Sequence, residues 1–376
     1  MEKKLNIKRI ALAMETLGLN QASLAKQIAV SRAIVSLWFK GDKFPRPDKL
    51  LKLGTTLRLP FQDLVEKSVT SQEPVVAFRK KASRKTKNSH LAKAREMGQL
   101  LELLVPFIPY DRMFEPPALK SPSSEYAFIQ KAAQSIRQEM GVESHRPIEF
   151  DLLVRKINDF EVILIPVFHG DKENHENALH IYLPSSNTTW IYLNLDAYVH
   201  DFKFWMAHEL GHVLSPSLRD DAAEDFADAF AQALLFPEDL AEKAHASLSR
   251  IREKSKQVKK IMDIAAALAI SPITVYKAVN NYADENGLPP IDLDRVLFAA
   301  TTNLCKRCAK MTDHLKLKGA ASVTEYIDIT KKVFHSPFFD ILKKFLANHE
   351  KSSGFIQSIL DCSLLDAKEI HAGLVG

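Results

Sequence analysis

Three cysteines in 376 residues cannot build a disulfide framework. Twelve glycines and 18 prolines exclude a collagenous or low-complexity chain. No apolar run reaches the roughly 18 residues that span a bilayer. Met1-Glu2-Lys3-Lys4 leads into a polar amphipathic stretch rather than a signal-peptide core. These absences make a cytoplasmic protein with no membrane partner the expectation. The net charge is also small, +5, but it hides an asymmetry. Residues 1–90 hold 19 Lys or Arg against 7 Asp or Glu, and the other 286 residues hold 32 against 39. A basic N-terminal piece joined to an acidic remainder points to a polyanion-binding module attached to something else.

Periodicity divides the chain into four parts. Residues 1–67 read as short helices, and 68–122 as a basic linker followed by a Pro-rich connector. Residues 123–289 combine helices with three apolar β-type runs, EVILIPVF, ALHIYLP and TTWIYLNLD, the last two forming a hairpin. Residues 290–376 are helical with no chemical motif. The predicted fold is multidomain and mainly α with a small β-sheet: a helix-turn-helix bundle, an α+β domain and a helical C-terminal region.

Within the first part, Gln21 to Ile28 and Arg32 to Phe39 read as two helices around the turn Ala29-Val30-Ser31, with Ser31 capping the second. Ile34, Val35 and Trp38 point inward; Arg32, Ala33 and Ser36 point outward. A helix of this size fits the major groove of B-DNA, with its N-terminal polar residues at base edges. Lys40, Lys43 and Arg46 then lie near phosphates, a salt-dependent contact. The segment resembles the Xre/Cro-like helix-turn-helix family over about 60 residues, through Leu24-Ala25, Val30-Ser31, Gly41, Pro45 and Leu50-Leu51. The resemblance implies Gln21, Ser31, Arg32 and Ser36 as DNA-facing positions. It departs at Phe39, where an acidic residue is common. The competing reading is a helical bundle used only for dimerisation.

The strongest chemical signal is His208-Glu209-Leu210-Gly211-His212. On a helix, positions i and i+4 share a face, so both histidines can bind one metal. Glu209 lies at the edge of that face and can take a proton from a water the metal acidifies. HExxH arises by chance in roughly 3% of such chains, so a third ligand is needed to make the case. Glu224, twelve residues after His212, supplies it on a second helix, with Asp221 the next choice. Asp228 shares the face of Glu224 and can hold a ligand histidine from behind, unless it is merely a solvated helix charge.

HELGH followed by E-x-x-A-D-x-F-A-x-x-L-L-x-P, residues 208–237, resembles the ImmA/IrrE family of gluzincin-like metallopeptidases. The resemblance covers roughly residues 123–285. Asp228 stands where Asn is usual, and Trp205 where a small residue is common. Family members often sit beside or are fused to Xre-type domains. The resemblance implies a metal-dependent endopeptidase that cuts a helix-turn-helix repressor; the metal expected from the ligand set is Zn²⁺, with Mn²⁺ the alternative to supply in an assay. It also implies that the strand before the active-site helix pairs with substrate, making Trp190 to Asp196 the expected edge strand. Asn194 and Tyr198 are then candidate substrate contacts, and Tyr198 or His200 a candidate oxyanion donor. His180, on a strand, reads as structural.

Weaker signals remain. Ile264 to Asn281 repeats the helix-turn-helix pattern with only Lys277 as a base on its second helix, which favours packing over DNA reading. Cys305-x-x-Cys308 with His314 lacks a second pair and reads as ordinary helix cysteines; Cys362 reads as core. The function expected is a DNA-binding regulator with a zinc endopeptidase that cuts a repressor or its own linker, relieving repression. The alternative is an autorepressor or antitoxin whose peptidase-like domain senses a partner without proteolysis. The expected partners are an operator duplex, a protein substrate such as a repressor, a toxin in the alternative, and a second copy of the chain, because a Cro-like reader of a palindrome is a homodimer.

Overall fold

A computed structural model describes residues 5–40, 43–57, 59, 64, 74–77, 88–109, 118–168, 178–305, 309–316, 322–349 and 351–375. Gly41, the basic run Arg79 to Lys87, Pro116, Pro117 and Cys308 lie outside the described residues. The chain divides into two compact units, 1–72 and 73–376. This differs from the sequence boundaries: the connector after residue 72 and the C-terminal region belong to the same unit as the 123–289 segment.

The first unit contains α1 (Ile7–Thr16), α2 (Gln21–Ile28), α3 (Arg32–Lys40) and α4 (Pro47–Leu57). Asn20 caps α2 by accepting from Ala22 N–H and Ser23 N–H, and the Ser23 hydroxyl accepts from Asn20 N–H in return. Ala29 ends α2 in the left-handed conformation, φ 56°. Leu24, Ala25, Ile28, Val35 and Trp38 bury their side chains in one core with Leu50, Leu53 and Leu57. Small Ala25 is buried in this core, where a short side chain allows helices to approach closely.

In the second unit, β1 (Val75–Ala77) precedes α5 (Asn88–Glu102), a 3-10 turn at Val105–Phe107, α6 (Tyr126–Glu139) and α7 (Phe150–Asn158). Then come β2 (Ile163–Val167), β3 (Ala178–Leu183) and β4 (Thr188–Asn194). Five helices follow: α8 (Val199–Leu214), α9 (Asp220–Leu235), α10 (Glu238–Ser249), α11 (Lys254–Leu268) and α12 (Pro272–Glu285). The C-terminal part adds α13 (Asp294–Cys305), α14 (Met311–His314), α15 (Val323–Lys332), α16 (Phe338–His349), α17 (Ser353–Leu360) and α18 (Leu364–Val375). Among the described residues no single helix is long and apolar enough to cross a membrane.

The strand order is β1-β3-β4-β2. β3 and β4 form the expected hairpin, and β2 runs parallel to β4 with Ile163 opposite Trp190. This corrects the expectation for Trp190 to Asp196: that strand is interior, because β2 covers its second side. A further correction concerns the linker, which contributes β1 to the sheet against β3.

Strand alternation sorts the sheet into two faces. Leu164, Ile191 and Leu193 face a core built with Phe202, Met206 and Leu210 of α8 and Phe226 and Phe230 of α9. Ile163, Ile165, Ile181, Trp190 and Tyr192 face a second core with Phe338, Phe345, Ile359 and Ile370. The C-terminal helices thus cover the far face of the sheet, which would otherwise be an exposed apolar surface. Cys362 packs at the margin of that second core and is half-buried, short of the core position expected.

Candidate metal centre

α8 is buried along nearly its whole length, from Phe202 to Leu214. It packs on α9 so closely that Gly211 has room for no side chain: a Cβ there would lie 2.9 Å from Ala227 Cα. A glycine on one helix facing an alanine on the next brings the two axes together, as small residues at a crossing do. Arg137, from α6, fixes the end of α9: its guanidinium donates to the carbonyls of Leu234 at 2.6 Å and of Glu143 and Arg146 at 2.6 and 2.7 Å. Lys203, buried on α8, donates to Leu268 O at 2.9 Å and so holds the C-terminus of α11.

This close packing brings His208, His212 and Glu224 together. One ligand atom from each lies within 4.8 Å of the others. His208 Nε2 and His212 Nε2 are 3.1 Å apart. Glu224 Oε2 is 3.6 Å from the first and Glu224 Oε1 3.4 Å from the second. A tetrahedral ion with bonds of about 2.1 Å separates its ligand atoms by about 3.4 Å, so the spacing suits a metal. Among the described residues, the buried oxygens Glu209 Oε2 and Glu224 Oε2 have only histidine nitrogens near them, His180 Nδ1 at 3.4 Å and His208 Nε2 at 3.6 Å. The donor set, two imidazoles and a carboxylate, is that of a nitrogen- and oxygen-ligated ion with an open position.

Asp228 Oδ1 lies 2.9 Å from His208 Nδ1, which turns His208 Nε2 toward Glu224. Burial alone lowers the His208 pKa, but hydrogen bonds to Asp228 and Glu224 and the charge of Glu209 outweigh it and raise the imidazole to about 9. Burial likewise raises Glu224, but hydrogen bonds from His208 and His212 and their charges bring it down to about 2. Trp205 and Phe204 wall the His208 ring, Trp205 edge-on at 5.8 Å. Asp220, Asp221 and Asp225 are exposed on α9 and lie outside the ligand group.

His180 belongs to this centre, although its strand context pointed to a structural role. It is buried, with Nδ1 3.4 Å from Glu209 Oε2 and its ring 5.5 Å from that of His212. Burial holds its pKa below the ordinary value, against the pull of Glu209. His180 pairs with Ile191, whose side chain lies on the α8 face, and this pairing, which the local sequence does not give, puts His180 on that face. Asn194, Tyr198 and His200 are placed otherwise. Asn194 Oδ1 accepts from Asp196 N–H at 3.0 Å in a tight turn. Tyr198 stacks on His200, and its backbone bridges to Lys310. His200 lies eight residues before His208, about 12 Å along the helix axis.

The first unit presents its own surface. Ser31, Arg32, Lys40, Lys43 and Arg46 are exposed, and Gln21 and Ser36 are half-buried. Ser31 Oγ accepts from Ile34 N–H at 3.3 Å, opening α3. The second helix-turn-helix segment differs: Thr274, Val275, Tyr276 and Ala278 of α12 are buried. His314 sits edge-on to Phe150 at 5.4 Å, a packing contact.

Residues 161–280 match the family model for the IrrE N-terminal-like domain, Peptidase_M78. The match spans β2 to α12 and includes every residue of the ligand group. It suggests an ImmA/IrrE-type metallopeptidase for this stretch. No curated protein and no solved structure matches the chain.

Proposed function

We propose that the chain is a DNA-reading regulator carrying a zinc endopeptidase, which cuts a helix-turn-helix repressor or its own connector and so relieves repression. The observation that carries the enzymatic half is the convergence of His208, His212 and Glu224 beside Glu209. Zn²⁺ held by those three side chains would supply a Lewis acid that polarises a peptide carbonyl and acidifies water. Glu209 is the general base: Oε2 takes the proton of the attacking water and returns it to the leaving amine. Asp228 fixes the tautomer of His208 with its proton on Nδ1, leaving Nε2 as a ligand. His180 Nδ1, 3.4 Å from Glu209 Oε2, is placed to hold that carboxylate in position.

The DNA half rests on the charge and exposure of the first unit. Residues 1–67 hold 13 basic and 6 acidic residues. Arg32 opens α3 toward solvent, with Lys40, Lys43 and Arg46 exposed nearby in sequence. Arg32, Ser36 and Gln21 read bases while the lysines and Arg46 meet phosphates, and a homodimer reads two half-sites.

The test is to incubate the purified chain with Zn²⁺, alone and with a helix-turn-helix repressor, beside Glu209→Gln. Cleavage is expected to fall by about a hundredfold or more in the variant. Intact bands for both forms, with duplex binding retained, would instead leave the antitoxin reading, in which the metal domain senses a partner without cutting.

A further inference from the structure

Without β1 the sheet β3-β4-β2 has two outer edges, and the chain closes them by different means. β2 is one edge. Its Val167 carbonyl accepts from Leu195 N–H, so by alternation the Leu164 and Pro166 carbonyls point outward. Both are taken by side chains from the C-terminal part, Ser336 Oγ on Leu164 O and Tyr326 Oη on Pro166 O. Pro166 itself has no N–H to offer. The outward carbonyls of residues 164 and 166 are thus already taken, which disfavours strand addition there.

The β3 edge is closed by a strand. β1 lies antiparallel to it, with Val75 opposite Tyr182, Val76 opposite Ile181 and Ala77 opposite His180. Its last residue is thus level with the side chain that approaches Glu209 at 3.4 Å. Buried Pro74 packs against Gly98 of α5, where any Cβ would collide with the proline ring. β1 has only three residues, and both valines are partly exposed. A strand of that length contributes few ladder hydrogen bonds, so a longer extended peptide can replace it. β1 also comes from the connector between the two units, a segment the sequence marks as a tether.

We propose that β1 is a built-in occupant of the β3 edge beside the metal centre, which an incoming peptide must displace. The ligand class follows from the occupant: an extended segment, antiparallel to β3, with uncharged β-branched residues opposite Tyr182 and Ile181. The inference rests on the peptidase reading for what happens to the peptide once bound, but occupancy of the edge does not depend on turnover.

The experiment uses the full chain carrying Glu209→Gln, so that bound peptide is not consumed. The probe is a fluorescein-labelled synthetic peptide with the sequence of residues 70–84, followed by anisotropy. Three forms are compared: β1 unchanged; Val75→Asp with Val76→Asp, which weakens the strand on β3; and Val75→Cys with Tyr182→Cys, opposite residues that oxidation can join. If β1 fills the edge about nine-tenths of the time, freeing it tightens peptide binding by about tenfold. The oxidised pair is expected to bind no peptide, and reduction to restore binding. Equal affinity in all three forms, binding of a scrambled peptide equal to that of the probe, or no binding to any form would overturn the proposal. The cysteine pair keeps the test valid if the aspartate variant misfolds. Failure of the peptidase reading shows separately: the chain with Glu209 intact and Zn²⁺ added would bind the probe and leave it whole.

Discussion

α2–α3 and α11–α12 are built on the same local plan and end in opposite roles. In each, a helix stops at an alanine in the left-handed conformation, Ala29 at φ 56° and Ala269 at φ 50°. A β-branched residue and a serine follow, Val30-Ser31 and Ile270-Ser271, and each serine hydroxyl accepts from a backbone N–H of the next helix. The second helices then diverge. α3 buries Val35 and Trp38 and leaves Arg32, Ala33 and Lys40 exposed. α12 buries Thr274, Val275, Tyr276, Ala278 and Val279, and its exposed base is Lys277. A shared turn chemistry therefore makes a helix pair, while the neighbours of that pair decide whether a surface is presented. In α12 the neighbours are α10 and α13, which with α11 enclose it.

The largest expected effect tests that enclosure. Tyr276→Ala removes a buried ring whose hydroxyl accepts from Leu293 N–H at 3.2 Å, and should cost about 3–5 kcal/mol in urea denaturation. The equivalent change in the first pair, Ser36→Ala, should alter the stability of its unit by no more than about 0.5 kcal/mol. Similar losses at the two positions would break the contrast.

Next in size is the effect on duplex binding. Arg32→Ala should weaken binding to the cognate duplex by about 1–3 kcal/mol and relax its sequence preference, while Lys40→Ala should reduce the slope of log K against log salt by about 1. Lys277→Ala should leave both unchanged. A shift from Lys277→Ala alone would make α12 the reader.

Two smaller predictions concern what the pairs share. Ser31→Ala and Ser271→Ala should each cost about 1 kcal/mol, because each removes a helix N-cap. Ala29→Gly and Ala269→Gly should each stabilise by about 0.5 kcal/mol, since glycine relieves the left-handed backbone while losing more chain entropy. Opposite signs at the two turns, read by thermal melting, would show that the shared plan is only apparent.

Legibility followed the range of the interactions. The spacing of His208 and His212 on one helix turn, the capping serines and the small residues at helix crossings all act within a few residues, and each could be read from its neighbours. Glu224 was within reach because its helix carries a self-contained apolar pattern. His180 was not read as part of the centre. It joins Glu209 only through strand pairing that links residue 180 to 191, and nothing local to ALHIYLP indicates which face meets α8. The interior position of β4 was misread for the same reason: β2, some 25 residues upstream, covers a side that local sequence leaves open. Strand β1 was read as tether because three residues flanked by charge carry no periodicity.

Local chemistry alone was enough for the helices, their turns and the metal-binding spacing, because backbone sterics and i, i+4 geometry leave few alternatives. Packing decided the rest: which helix of two similar pairs is exposed, which strand is an edge, and which histidine stands behind Glu209. Those choices depend on burying one apolar face against another far along the chain. The free energy of that burial belongs to the pair of surfaces and cannot be read from either one.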